Sequence, residues 1–305
     1  MTTSLRLRRR ELLLAAGALI GSRSEGALAG QPDSLSSENV RILRWDLGVQ
    51  SWGPGRAVIL VPTWSRPDAR LPVLVALHGR GESVKSPTEG ALGWPRDYAL
   101  VRAIDHLRAP PLRTSDYQDL VEPEQLDEDN RDLQRRPFAG LIVACPWLPD
   151  LQPTNPDDLA SYGHFVLDVL LPRVRSETPA FADAQATGID GVSLGGAFAL
   201  GIGLNHAEAF GAIGGIQPAV NVEDIDYWVK LARDARARHP GVKLRLLTSY
   251  DDYFHDAVSE LSKGWQAAGV SHDFDVYPGP HDYVFNRGPG SIELLLWHDR
   301  ALRGA

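Results

Sequence analysis

The stretch Gly188-Ile189-Asp190-Gly191-Val192-Ser193-Leu194-Gly195-Gly196 constrains this chain more than any other. Strand character from Thr187 to Val192 gives way to a small-residue helix continuing through Ala197-Phe198-Ala199-Leu200. The junction reads Gly191-x-Ser193-x-Gly195. This pattern predicts a sharp strand-to-helix turn that lifts a serine above a sheet edge. The serine backbone is strained in such a turn, and the glycines leave room for neighbouring chain. The helix beginning at Leu194 would point its amide end at the serine and favour negative charge developing there. A glycine-rich turn with an incidental serine is the plain alternative, and the strand-before, helix-after context speaks against it.

The rest of the chain alternates in the same way. Arg41–Trp45 and Ala57–Val61 read as early, antiparallel strands. Pro72–Leu77, Leu141–Ala144, Thr187–Val192 and Leu244–Thr248 are short apolar runs of the kind buried on both faces. Ala212–Ile216 and Phe274–Tyr277 are weaker candidates. Helical periodicity falls between them, at Tyr98–Leu107, Leu159–Val174, Ala197–His206, Asp224–Ala237, Phe254–Ala268 and Ser291–Leu302. Strand and helix in alternation predict an α/β fold, a mostly parallel central sheet flanked by helices on both faces. The 305 residues suit one such domain, and the 29 glycines and 22 prolines suit its shaped loops. Residues 82–137 interrupt the rhythm. They read as an insertion that borders or covers the active site, or else as a solvated excursion.

The first 29 residues stand apart. Arg6, Arg8, Arg9 and Arg10 precede an apolar run from Leu12 to Gly21, and Ala27-Leu28-Ala29 supplies a small-x-small cleavage pattern. Arg9-Arg10 ahead of that mildly hydrophobic run looks like a twin-arginine signal, with an ordinary secretory signal or an uncleaved amphipathic N-terminus as alternatives. The expectation is export to the periplasm or medium, with Gly30 as the first mature residue and no integral membrane segment thereafter. The full chain carries −8, and five arginines and two glutamates lie in the leader, so the chain from Gly30 carries −11. That balance argues against nucleic acid as a partner. Cys145 is the single cysteine, so an internal disulfide or a cysteine-held zinc is excluded. It reads as a buried, inert thiol.

A nucleophilic serine needs a base and donors for the oxyanion. The strand Pro72–Leu77 runs into His78-Gly79-Arg80-Gly81. In the α/β-hydrolase arrangement a loop here presents a backbone N–H to the oxyanion, so Gly79 or Arg80 supplies one amide and Leu194 the other, with His78 structural. The order serine, acid, histidine places the base late, at Pro278-Gly279-Pro280-His281-Asp282. The other histidines lie within predicted helices or lack this loop context. The strand Leu246-Leu247-Thr248 runs out through Ser249-Tyr250 into Asp251-Asp252. Either Asp252 or Asp251 could supply the acid, and both cannot face His281.

Together LHGRG, GVSLGG, the strand ending in aspartate and PGPHD resemble the putative-esterase family of α/β-hydrolases. That group includes esterase D, feruloyl esterases, siderophore esterases and mycolyl transferases. Tyr162–Val174 (YGHFVLDVLLPRV) looks like the helix these proteins carry ahead of the nucleophile strand. Ser249-x-x-Asp252 stands where many relatives have Gly-x-x-Asp, which favours Asp252 over Asp251 as the acid, although Ser249 departs from the family's more common glycine. The resemblance implies a serine carboxylic-ester hydrolase with Ser193, Asp252 and His281 as a triad. It would act on a small-molecule ester through an acyl-enzyme, with no metal or organic cofactor. Acyl transfer by the same triad and a catalytically silent binding protein are the alternatives.

Trp94, Trp147 and Tyr283 fall in loops near the expected mouth and are candidates for lining a substrate pocket, Trp147 foremost because it directly follows a strand. Arg287 reads as a cap on the last helix or a carboxylate ligand. The acidic run Glu122–Asp132 lacks metal-ligand spacing and reads as a solvated face.

Overall fold

The computed structural model describes residues 35–66 and 68–303. The leader read from the sequence lies outside them. Every strand expected from the sequence forms, and all eight join one sheet in the order β1-β2-β4-β3-β5-β6-β7-β8. The strands β1 (Val40–Gln50) and β2 (Gly53–Pro62) form an antiparallel pair, and β2 joins β4 (Ile142–Pro146) antiparallel. From β4 onward the neighbours β3 (Val73–Leu77), β5 (Thr187–Gly191), β6 (Ala212–Ile216), β7 (Lys243–Asp251) and β8 (Asp273–Pro280) run parallel. The four five-residue strands β3 to β6 are buried along their whole length, which explains the apolar runs of β3 and β4.

Alternate residues of β3 serve two separate cores. Val73, Val75 and Leu77 pack on one face with Phe198, Trp228, Leu261 and Trp265 from helices Leu194–Asn205, Ile225–Arg238 and His255–Ala267. Leu74 and Ala76 point to the other face, with Leu100, Ile104, Leu294 and Leu295 from helices Leu100–Arg108 and Ser291–Arg303. A period of two along the strand and helices on both sides are what an α/β sheet requires.

The segment 82–137 is neither a loose excursion nor a detached cover. Leu92, Trp94, Leu100, Leu107, Tyr117 and Leu133 bury themselves in the second core, so most of the segment is one layer of the fold. Its front part, through Tyr98, reaches the loop beside Ser193. The acidic run is a helix, Pro123–Arg135, with Leu133 buried. Among the described residues no helix is long and apolar enough to cross a membrane.

Candidate active site

Ser193 stands two residues past the end of β5 and holds φ 58° and ψ −120°, a conformation that costs a non-glycine residue about 1–3 kcal/mol. Its surroundings fix it there. The Ser193 N–H donates to the Ile216 carbonyl at 3.0 Å, and the Ser193 carbonyl accepts from Ala197 and Ala219 at 3.0 Å each. The flanking glycines are required by packing. A Cβ at Gly195 would lie 2.3 Å from the Leu77 carbonyl oxygen, and one at Gly191 would lie 2.5 Å from that of Gly195. The end of β3 thus presses directly against the turn. Behind it the helix Leu194–Asn205 is buried from Leu194 through Leu204, with its N-terminus at the serine.

The histidine and the aspartate come from the ends of neighbouring strands. His281 follows β8, Asp252 follows β7, and the two strands pair in parallel, so both loops emerge at one sheet edge. His281 Nδ1 lies 2.8 Å from Asp252 Oδ1, with the histidine side chain 10% exposed and the carboxylate fully buried. That carboxylate is well supplied with donors: Thr248 Oγ1 donates to Oδ2 at 2.8 Å, and the Phe254 N–H donates to Oδ1 at 2.9 Å. Asp251 is exposed and stays within the β7–β8 register opposite Pro280. With Nδ1–H given to the carboxylate, the neutral ring presents Nε2 as its basic nitrogen. The Tyr253 ring lies 4.3 Å from the His281 ring, centroid to centroid.

The loop after β3 supplies a further group. Gly79 gives its N–H to the Tyr98 hydroxyl at 3.1 Å, so this amide is already committed. Of the two amides expected there, that removes Gly79. Arg80 opens the short helix Arg80–Ser83, and among the described residues neither its N–H nor that of Leu194 has an acceptor. A Cβ at Gly79 would lie 3.5 Å from Ser193 Cβ, which measures how closely this loop lies against the serine. His78 is buried beneath it. Its Nε2 accepts the Leu148 N–H at 2.9 Å, leaving Nδ1–H for the Gly79 carbonyl at 2.9 Å. Burial pushes its pKa below the ordinary imidazole value, consistent with a neutral structural role.

Two of the three aromatic residues expected to line a pocket are framework. Trp94 is 1% exposed and gives its indole N–H to the Leu77 carbonyl. Trp147 is 8% exposed, donates to the Glu82 carbonyl and packs edge-on against Trp52. In both cases the indole donor satisfies a buried main-chain oxygen, which a loop position in the sequence does not reveal. Tyr283 is 37% exposed and remains at the surface. Arg287 donates to the Asp97 carbonyl and lies over the Tyr283 ring. Cys145 is buried, and burial raises its pKa. Among the described residues no cluster of histidine, cysteine and carboxylate side chains suits a metal ion.

Gln217 was not singled out from the sequence. It sits just past β6 at φ 42°, and its amide donates to Ser249 Oγ at 2.7 Å and to the Pro280 carbonyl at 3.2 Å. It therefore joins the aspartate and histidine strands from below and gives Ser249 a purpose that glycine could not serve. A non-glycine residue with positive φ is the only trace of this, and it is invisible in sequence.

Residues 146–285 match the model of the putative esterase family. No curated protein matches the chain in sequence. Among solved structures, a ferulic acid esterase superposes with a TM-score of 0.65 at 18% identity, over 87% of this chain and 99% of its own. A feruloyl esterase module from Clostridium thermocellum, complexed with sinapinate, gives 0.60 at 14% identity, over 87% and 91%. The S-formylglutathione hydrolase of Staphylococcus aureus gives 0.57 at 14% identity, over 85% and 98%. At these identities the likeness is one of fold: the sheet and its helices are those of an α/β-hydrolase.

Proposed function

We propose that this chain is an esterase of the putative esterase family, an exported hydrolase of small carboxylic esters that works through Ser193, His281 and Asp252. The observation that carries the reading is the His281–Asp252 pair at 2.8 Å, on the same sheet edge as a serine held in a strained turn.

In this mechanism His281 Nε2 takes the Ser193 hydroxyl proton as the oxygen attacks the ester carbonyl. The negative oxygen of the tetrahedral intermediate is held by the Arg80 and Leu194 N–H groups, each donor worth about 3 kcal/mol to the transition state. His281 then passes its proton to the departing alkoxide, which leaves as the alcohol, and the acyl group remains on Ser193. Water gives a proton to His281 and attacks in turn. The carboxylic acid is released, and the proton returns to Ser193. Asp252 keeps the ring in one tautomer and stabilises the imidazolium.

A short-chain nitrophenyl ester tests this. The wild type should release a burst of nitrophenol matching the enzyme concentration, and Ser193→Ala should lose the burst and several orders of magnitude in kcat. Turnover near wild type in Ser193→Ala would refute the proposal. Export rests on the Arg9-Arg10 leader and the Ala27-Leu28-Ala29 pattern. Mass spectrometry of the exported fraction should find Gly30 first, and retention of the intact leader inside the cell would reject this part.

A further inference from the structure

Glu82 takes no part in the steps above, yet it is a carboxylate with 0% exposure beside the oxyanion loop. Burying such a group costs several kcal/mol unless its lone pairs are met by donors. Here three groups meet them. The Tyr98 hydroxyl donates to Oε2, the Tyr283 hydroxyl donates to Oε1 at 2.5 Å, and Lys85 Nζ stands 3.4 Å from Oε1.

The two tyrosines lead to different halves of the site. Tyr98 donates to Glu82 and accepts the Gly79 N–H at 3.1 Å, so the carboxylate sets the direction of a hydroxyl that holds the oxyanion loop. Tyr283 stands two residues after His281, and its hydroxyl lies over the same loop, 2.9 Å from where a Cβ would sit on Gly81. The Tyr98 and Tyr283 rings meet edge to face at 5.6 Å. Glu82 is also tied by its main chain: its N–H donates to the Gly79 carbonyl, and its carbonyl accepts the Trp147 indole.

We propose that Glu82 is a positioning residue that fixes the oxyanion loop and the histidine loop relative to each other, through Tyr98 and Tyr283. The inference rests on the assignment of Ser193, His281 and the Arg80 amide made above. By engaging the Gly79 amide, the Glu82–Tyr98 pair holds the loop with the next amide, that of Arg80, free for the substrate. A carboxylate suits the task because it only accepts, so both hydroxyls must point at it. An amide in its place would accept from one tyrosine and turn a donor toward the other.

Glu82→Gln, Tyr98→Phe and Tyr283→Phe should be assayed on a nitrophenyl ester, with active sites counted by titration with a fluorophosphonate. Positioning predicts that kcat per titrated serine falls about 10- to 100-fold in Glu82→Gln and Tyr98→Phe, part of the cost of a whole oxyanion donor. In these two variants KM should stay within about threefold, because both side chains are buried, and Tyr283→Phe should show a smaller loss of kcat. Tyr98→Phe keeps the ring and so carries the test even where Glu82→Gln fails to fold. Wild-type kcat per titrated serine in Tyr98→Phe, with only the melting temperature or the titratable fraction lowered, would overturn the proposal in favour of a purely structural role. Turnover near wild type in Ser193→Ala would instead refute the assignment of Ser193 on which the inference stands.

Discussion

At Asp252 three donors converge on one buried carboxylate, whereas Asp251 beside it faces solvent, and no shared role is open to the two. If Asp252 orients His281, its amide variant leaves the ring in the wrong tautomer and without a partner for its charge. In a serine protease the equivalent change cost about 10⁴ in turnover with the geometry preserved. Asp252→Asn should therefore fall steeply in kcat on a nitrophenyl ester, while Asp251→Asn stays within about tenfold, a limit of about 1.4 kcal/mol. Collapse of Asp251→Asn instead would move the acid by one position. Sequence ranks the two aspartates only through the resemblance of Ser249-x-x-Asp252 to the Gly-x-x-Asp of the putative-esterase family. Trp94 and Trp147 were misjudged because residue type and loop placement do not determine exposure. Glu82, Tyr98 and Gln217 went unnoticed for a related reason: their partners lie far along the chain, and only folding brings them together.

Among the elements, strands and central helices were legible because their periodicity reflects burial on one or two sides. The helix Pro123–Arg135 was not, since it buries little and its charged surface resembles that of a solvated loop. Its start was written in Glu122-Pro123-Glu124-Gln125, where Gln125 Oε1 accepts the Glu122 N–H and proline opens the helix. This helix also helps to build a partly buried acidic cluster. Asp129 on it faces Glu293 of the last helix, with Tyr117, Tyr277, Asp275 of β8 and Arg245 of β7 around them. Burial, reinforced by the neighbouring acids, pushes Glu293 from 4.5 to about 8. A carboxyl whose folded pKa lies above its unfolded one favours folding in its protonated form. Its contribution is therefore complete below about pH 4.5 and fades as pH rises through about 8. Glu293→Gln keeps the neutral shape and removes the titration. Thermal melts should show the variant gaining on the wild type by roughly a few degrees between pH 5 and 8.5. A difference that does not change with pH would contradict this.

For the molecule as a whole, the fold follows from one constraint repeated: apolar strands that must be covered twice, joined by helices that cover them. Among the described residues seven of the eight strands point the same way, β2 alone being reversed, and the loops after β3, β5, β7 and β8 share one end of the sheet, where Arg80, Ser193, Asp252 and His281 stand. Ligands of open α/β sheets bind at that carboxyl end. The motifs named these four positions because each sits where a strand stops, and strand ends are readable. What sequence could not supply was the chemistry around them: which loop amide is free, which aromatic residue is exposed, and which buried acid ties the loops together. The claim on which the rest depends is that Ser193 is the activated nucleophile. A fluorophosphonate probe added to the intact protein, followed by peptide mapping, tests it directly. One label per chain on Ser193, and none on a Ser193→Ala variant that melts as the wild type does, is the predicted result. A label on another residue, or undiminished labelling of Ser193→Ala, would contradict it.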